Sequence, residues 1–202
     1  MNIKMILTDL DGTLICSDGS ISERTKLVLK GCQNYGIYIV IATARYWIGA
    51  ERYIEEIQPD YEITTDGTLI HQHGEQIYSC NLELEDTSQI VAELPNYETA
   101  LEIANKNHCR LQSYRGENWY AFLPEKAGKV QAIQELARIL DISLNEIVAF
   151  GDDKNDVEML KMCGIGVAVN NAIPDVKEIA DYITLSNDEN GVAEWLAKNV
   201  LK

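Results

Sequence analysis

Four short apolar runs, Ile3–Thr8, Ile37–Ala42, Glu146–Phe150 and Ile165–Val169, narrow what this chain can fold into more than any other feature. They are rich in β-branched residues and alternate little with polar ones, as strands buried on both faces do. Segments with helical spacing lie between them. Ile21, Thr25, Val28, Cys32 and Tyr35 form one stripe, with Ser20 and Glu23 placed for a capping box and Gly31 and Gly36 punctuating its end. Trp47, Ala50, Ile54 and Ile57 form a second, and Val130, Ile133, Ala137 and Leu140 a third. Strand alternating with helix predicts an α/β fold around a Rossmann-like parallel sheet with crossover helices.

From about Ser79 to Pro124 the rhythm breaks. Helices are expected over about 86–94 and 97–107, followed by a hairpin of Cys109–Tyr114 and Trp119–Leu123 around Arg115-Gly116-Glu117-Asn118. The expected organisation is a core of residues 1–78 and 125–202, interrupted by a small α+β module over 79–124. A chain of 202 residues has room for one core and one such module.

With 17 Lys+Arg against 32 Asp+Glu the formal charge is −15, which argues against nucleic acid, since phosphate backbones are bound by Lys and Arg. No apolar run approaches the roughly 20 residues of a membrane span, and the stretch Ile3–Leu7 stops at Asp9, too soon for a signal peptide. Cys16, Cys32, Cys80, Cys109 and Cys163 are scattered and odd in number, which fits reduced thiols in a cytoplasm. Neither nucleic acid nor membrane is expected as a partner, and a small anionic substrate stays open provided the site carries its own cation.

The first strand ends in Thr8-Asp9-Leu10-Asp11-Gly12-Thr13. Asp9 and Asp11 stand at i and i+2, so on an extended segment both carboxylates face one side. Asp and Gly also make ordinary turns, and both readings stand for this segment alone. Gly151-Asp152-Asp153-Lys154-Asn155-Asp156 follows another strand and opens a helix. An acidic helix start accounts for Asp156 but not Asp152. Two strands each ending in an acid pair favour a hard-cation site. Ala42-Thr43-Ala44-Arg45 places a hydroxyl at a strand-to-helix turn, an anion site or a plain cap. Lys129, near the start of the long helix after the module, reads by itself as a solvated charge. His71 and His73 read as an ordinary strand face, Trp119 and Tyr120 as core of the module, and Arg110 and Arg115 as solvated surface.

The order D-x-D-G-T, a strand-end Thr, a Lys and G-D-x-x-N-D resembles the haloacid dehalogenase superfamily of phosphohydrolases over nearly the whole chain. Val167-Ala168-Val169-Asn170-Asn171-Ala172, with Val176-Lys177 and Ala180-Asp181, is similar to its Cof-type branch, whose inserted module is a class IIB cap. Here Ala44 stands where that branch commonly has Gly, Asp66 where it commonly has Asn, and the cap is short, of phosphoglycolate-phosphatase-like size.

The resemblance implies a Mg²⁺-dependent phosphomonoesterase acting on a small phosphorylated metabolite, of sugar phosphate or phosphoglycolate type. Asp9 would be the nucleophile that becomes a transient aspartyl phosphate, and Asp11 the acid and then the base. Asp9, the backbone carbonyl of Asp11, and Asp152 would hold Mg²⁺, with Asp156 orienting a ligand water or pairing with Lys129. Thr43, Lys129 and Asn155 would contact the phosphoryl group, and Asn171 matches the branch's Asn. A phosphotransferase or mutase would share the aspartyl phosphate, a dehalogenase would lack the second acid, and a phospho-ligand sensor would need no turnover.

Overall fold

The first apolar run forms β1 (Met5–Thr8), with every residue buried. A computed structural model of the chain describes residues 2–82, 90–113 and 118–201. Next come α1 (Glu23–Asn34), β2 (Tyr38–Ala42), α2 (Trp47–Ile57) and β3 (Tyr61–Thr64). A 3-10 turn, Thr65–Gly67, leads to β4 (Leu69–Gln72) and β5 (Glu75–Ser79). Then follow β6 (Ile90–Glu93), α3 (Tyr97–Lys106), β7 (Cys109–Ser113) and β8 (Trp119–Pro124). The chain closes with α4 (Lys129–Leu140), β9 (Ile147–Gly151), α5 (Val157–Met162), β10 (Ile165–Ala168), α6 (Pro174–Ile179), β11 (Tyr182–Ile183) and α7 (Gly191–Asn199).

Eight strands form one sheet in the order β11-β10-β9-β1-β2-β3-β4-β5. Pairing is parallel from β11 to β3 and antiparallel through β4 and β5. The α/β class and all four expected strands stand, within a residue or two at their ends. The wholly apolar character of β1, β2, β9 and β10 follows from burial at the sheet centre, where Ile6, Ile39, Val148 and Val167 lose all contact with solvent. The three expected helical stripes became α1, α2 and α4. Among the described residues no helix is long and apolar enough to cross a membrane, and all five cysteines are free.

Three local expectations need correction. The cap of α1 is Ser22, which accepts from the Thr25 amide, because the helix begins at Glu23 and Ser20 lies two residues before the cap position. The helix expected over 86–94 is not a helix where it is described: Ile90–Glu93 is β6, Leu94 follows it outside any helix, and 86–89 lie outside the described residues. Its pairing with β8 supplies the cross-strand contacts that outweigh a local helical period. His71 lies in β4, but His73 is in the turn beyond it, with a left-handed backbone.

Strands β6, β8 and β7 form a second, antiparallel sheet that packs on α3 around Ala100, Ala104, Tyr120 and Phe122. The expected hairpin strands and the helix over 97–107 are therefore present. Arg115, in the connection between the strands, lies outside the described residues, as does the Trp119 side chain.

One buried acid sets a pH dependence for the fold. Glu62 on β3 faces His71 on β4 across an antiparallel pair, and its Oε2 is buried without a partner. Burial, with Asp60 adding to it, pushes its carboxyl from 4.5 up to about 7. Unfolded Glu62 releases its proton near pH 4.5, whereas folded Glu62 keeps it until about pH 7. Stability should therefore fall as pH rises through that window and level off above it, by up to about 3 kcal/mol at roughly 1.4 kcal/mol per pKa unit. Urea unfolding at pH 5 and pH 8 should show the slope in the wild type and a flatter profile in Glu62→Gln.

Candidate active site

Strand register brings the chemistry-bearing segments to one edge. Thr8 at the end of β1 is level with Phe150 of β9 on one side and Ile41 of β2 on the other. Asp9, Gly151-Asp152 and Ala42-Thr43 thus leave the sheet together at its carboxyl edge, where open α/β sheets bind ligands. The turn after β3 joins them: Asp66 donates its amide to the Thr43 carbonyl at 3.1 Å. Gly67, with φ of +90°, packs so tightly on Gly128 that a side chain there would strike the Gly128 carbonyl. That approach anchors the start of α4 and delivers Lys129 to the site.

Lys129 is buried between two carboxylates. Its Nζ lies 2.6 Å from Asp9 Oδ1 and 2.7 Å from Asp156 Oδ1, and neither acid is exposed. Asp156 Oδ2 also accepts from the Asp152 and Asp153 amides at 3.0 and 3.2 Å. Burial opposes the Lys129 charge, but Asp156, Asp9 and Asp66 outweigh it and hold the ammonium well above its ordinary range. A lysine of this position reads from sequence as a solvated charge; here it is the cation of a buried triad.

The carboxylates fit a divalent cation. Ligand oxygens of Asp9, Asp152 and Asp156 lie within 4.8 Å of one another. Burial raises Asp9 well above the usual carboxylate range, with Lys129 opposing and Asp156 and Asp152 reinforcing it. Burial also pushes Asp152 up to about 6, against its hydrogen bond from Thr13. Such a cluster carries more negative charge than its one lysine relieves, and a hard cation is the usual remedy. Asp9 Oδ1 and Asp152 Oδ1 are already bonded to Lys129 and to Thr13 at 2.8 Å. Their second oxygens take no protein donor among the described residues. Both Asp156 oxygens are engaged, which suits it to hold Lys129 and the 152–153 backbone.

Asp11 departs from the simple sequence geometry. β1 ends at Thr8, so strand alternation does not carry through the turn, and the two carboxylates part company. The Asp11 side chain, 54% exposed, is clamped by Arg45 through Nε at 2.7 Å and Nη2 at 2.6 Å. Arg45 is itself fixed by the Gly49 carbonyl. This clamp is missed by a reading of Ala42-Thr43-Ala44-Arg45 that attends only to the hydroxyl. Thr43 is buried and accepts the Arg45 amide, whereas Asn155 is exposed on a 3-10 turn. Asn171 donates to the Gly12 carbonyl at 2.6 Å and accepts from the Asn187 amide, so it pins the loop that follows Asp11. Arg110 is not solvated surface: from β7 it pairs with buried Asp66, Nη1 to Oδ2 at 2.5 Å.

The comparison with known families decides among the chemistries that such an acid–lysine cluster could serve. The profile of haloacid dehalogenase-like hydrolases matches residues 6–121 and 100–196. The chain belongs to that family. Among curated relatives, the 5-amino-6-(5-phospho-D-ribitylamino)uracil phosphatase YcsE of Bacillus subtilis (strain 168) is 25% identical over 250 aligned positions, covering 100% of this chain and 97% of the relative. Among solved structures, a hypothetical protein from Geobacillus kaustophilus HTA426 superimposes with a TM-score of 0.89 at 21% identity, covering 99% and 100% of the two chains. The haloacid dehalogenase subclass IIB sugar phosphatase BT4131 does so with a TM-score of 0.81 at 21% identity, covering 96% and 98%. The expected resemblance to Cof-type haloacid dehalogenase phosphatases therefore stands, as does the expectation of a phosphatase of that family.

Proposed function

We propose that the chain is a Mg²⁺-dependent phosphomonoesterase of small phosphorylated metabolites, working through an aspartyl phosphate on Asp9. The observation that carries this is the buried Asp9–Lys129–Asp156 triad with Asp152 alongside it. A carboxylate oxygen of Asp9 attacks phosphorus and the bond to the leaving oxygen breaks, with Asp11, protonated and released from Arg45, giving that oxygen its proton. Asp11 then takes a proton from water as the water oxygen attacks the aspartyl phosphate, which releases phosphate and restores Asp9. Lys129 donates from its Nζ, and Thr43 from its hydroxyl, to the transferring phosphoryl oxygens. Asn155 is a peripheral contact at most, given its exposure. Asp9, Asp152 and the Asp11 carbonyl would hold Mg²⁺, which when bound neutralises phosphoryl charge. Asp156 keeps Lys129 in place rather than serving as a principal ligand.

The core of this reading is residues 1–78 and 125–202, and 79–124 is a cap that selects substrate and excludes water. A cavity of about 460 Å³ beside Asp11, Gly12, Arg45 and Asn171 is of a size for a metabolite. The partner is a sugar phosphate or a phosphoglycolate-like ester, in the cytoplasm. Phosphate release from p-nitrophenyl phosphate should fall roughly 10²-fold or more with EDTA and return with Mg²⁺, and only weakly with Ca²⁺, which favours a larger oxygen shell. Full turnover in metal-free buffer would contradict the role of Asp152.

A further inference from the structure

A larger cavity lies away from the acid cluster, where the last turns of α1 and α2 come together beside the start of β3. It measures about 660 Å³, and its walls include Lys30 and Gln33 of α1, Trp47 and Ile54 of α2, and Glu62 of β3. Glu62 is 1% exposed, and its Oε2 is buried without a hydrogen-bond partner. Burial and the neighbouring Asp60 both push its carboxyl up, to about 7, and no cation opposes them. Lys30 does not answer this acid, since its Nζ donates to Gln33 Oε1 at 3.4 Å. Asp60 is already spent, with Oδ2 accepting from the Ile39 amide at 2.8 Å and from Gln33 at 3.2 Å. His71, opposite Glu62 on β4, also has a buried Nδ1 without a partner, and its ring packs on Trp47 at 4.6 Å between centroids. Two helix C-termini add negative potential here, because neither α1 nor α2 carries a basic residue in its last turn.

We propose that this cavity is a binding site for a protonated primary amine with a short apolar stem, its ammonium against Glu62 and its stem against Trp47 and Ile54. The inference is independent of the phosphomonoesterase reading, since Glu62 opens β3 while the acid cluster lies at the carboxyl edge of the sheet. An ammonium brings both the N–H donors and the positive charge that the buried carboxylate lacks, and leaving either unmet is costly. The ring of Trp47 favours a cation beside it as well. An alcohol offers a donor without charge, and a quaternary ammonium offers charge without a donor, so each meets only half of the need.

The test titrates n-butylammonium, 1-butanol and tetramethylammonium into the full chain and follows the Trp47 indole N–H resonance, assigned with Trp47→Phe. Butylammonium should give a saturable shift, with a dissociation constant at least ~10-fold lower than that of either other compound at pH 8. Its affinity should fall ~10-fold from pH 8 to pH 6, as Glu62 takes up its proton. The other titratable groups around Glu62 are Lys30, Glu55, Asp60, His71 and His73. Burial disfavours the charged form of His71, and His73→Gln should keep the pH slope. Glu62→Gln should lose the preference for butylammonium over 1-butanol. A shift that rises without saturating, equal affinity for butylammonium and 1-butanol, or an unchanged preference in Glu62→Gln would overturn the proposal. The comparison of the three compounds on the wild type needs no variant, so it decides the matter even if Glu62→Gln does not fold.

Discussion

Lys129→Met should cost the fold about 3–5 kcal/mol and the phosphatase activity roughly 10²–10³-fold. The side chain is 2% exposed and carries the ammonium shared by Asp9 and Asp156. Removing it leaves two buried carboxylates facing each other with no cation between them, and Met fills the volume without supplying charge. Asp156 retains its two backbone amides, so the helix start after β9 should persist while Asp9 loses its restraint. The stability term is separable from the catalytic one. Lys129→Met combined with Asp156→Asn removes one of the stranded charges and should recover part of the unfolding free energy without recovering turnover. Urea unfolding of both variants, with and without Mg²⁺, measures this. A loss below about 1 kcal/mol would mean that the triad is far better solvated than its burial implies.

The second large effect separates Asp9 from Asp11. Asp9→Asn removes the nucleophile and should stop transfer at its first step, leaving no covalent phosphate on the protein. Asp11→Asn keeps the buried cluster intact, because the Asp11 carboxylate stands outside it, against Arg45. It removes the proton donor and base, each a factor of ~10²–10⁴. With a poor leaving group both steps slow. With a nitrophenolate, which needs little protonation, the first step should survive better than the second, so the phosphorylated protein accumulates. Circular dichroism and a Mg²⁺ titration on each variant distinguish lost chemistry from a lost fold or metal site.

Much of this architecture was legible because its signals are local. β1, β2, β9 and β10 are short apolar runs whose burial on both faces erases polar alternation, and the acid-bearing segments lie immediately beyond two of them. Asp9 and Asp152 needed only that placement to be drawn into one cluster. What sequence could not supply was settled by approach between distant segments. Arg45 and Asp11 are 34 residues apart, and Arg110 and Asp66 are 44 apart. Nothing within either short stretch announces its partner. Lys129 looks solvated until the Gly67 turn docks on Gly128 and covers it. β6 failed for the same reason: Ile90-Val91-Ala92-Glu93 takes its state from β8, some thirty positions on. Between Ser20 and Ser22, the choice of cap turned on where the first helical turn begins, at Glu23.

The central claim is that phosphoryl transfer passes through the Asp9 carboxylate, and intact-mass analysis of acid-quenched Asp11→Asn tests it most directly. After incubation with p-nitrophenyl phosphate and Mg²⁺, the protein should carry one added phosphoryl group, mapped by peptide analysis to Asp9 and absent when Asp9→Asn is introduced as well. A phosphoryl group on any other residue, or undiminished turnover by Asp9→Asn, would contradict the account.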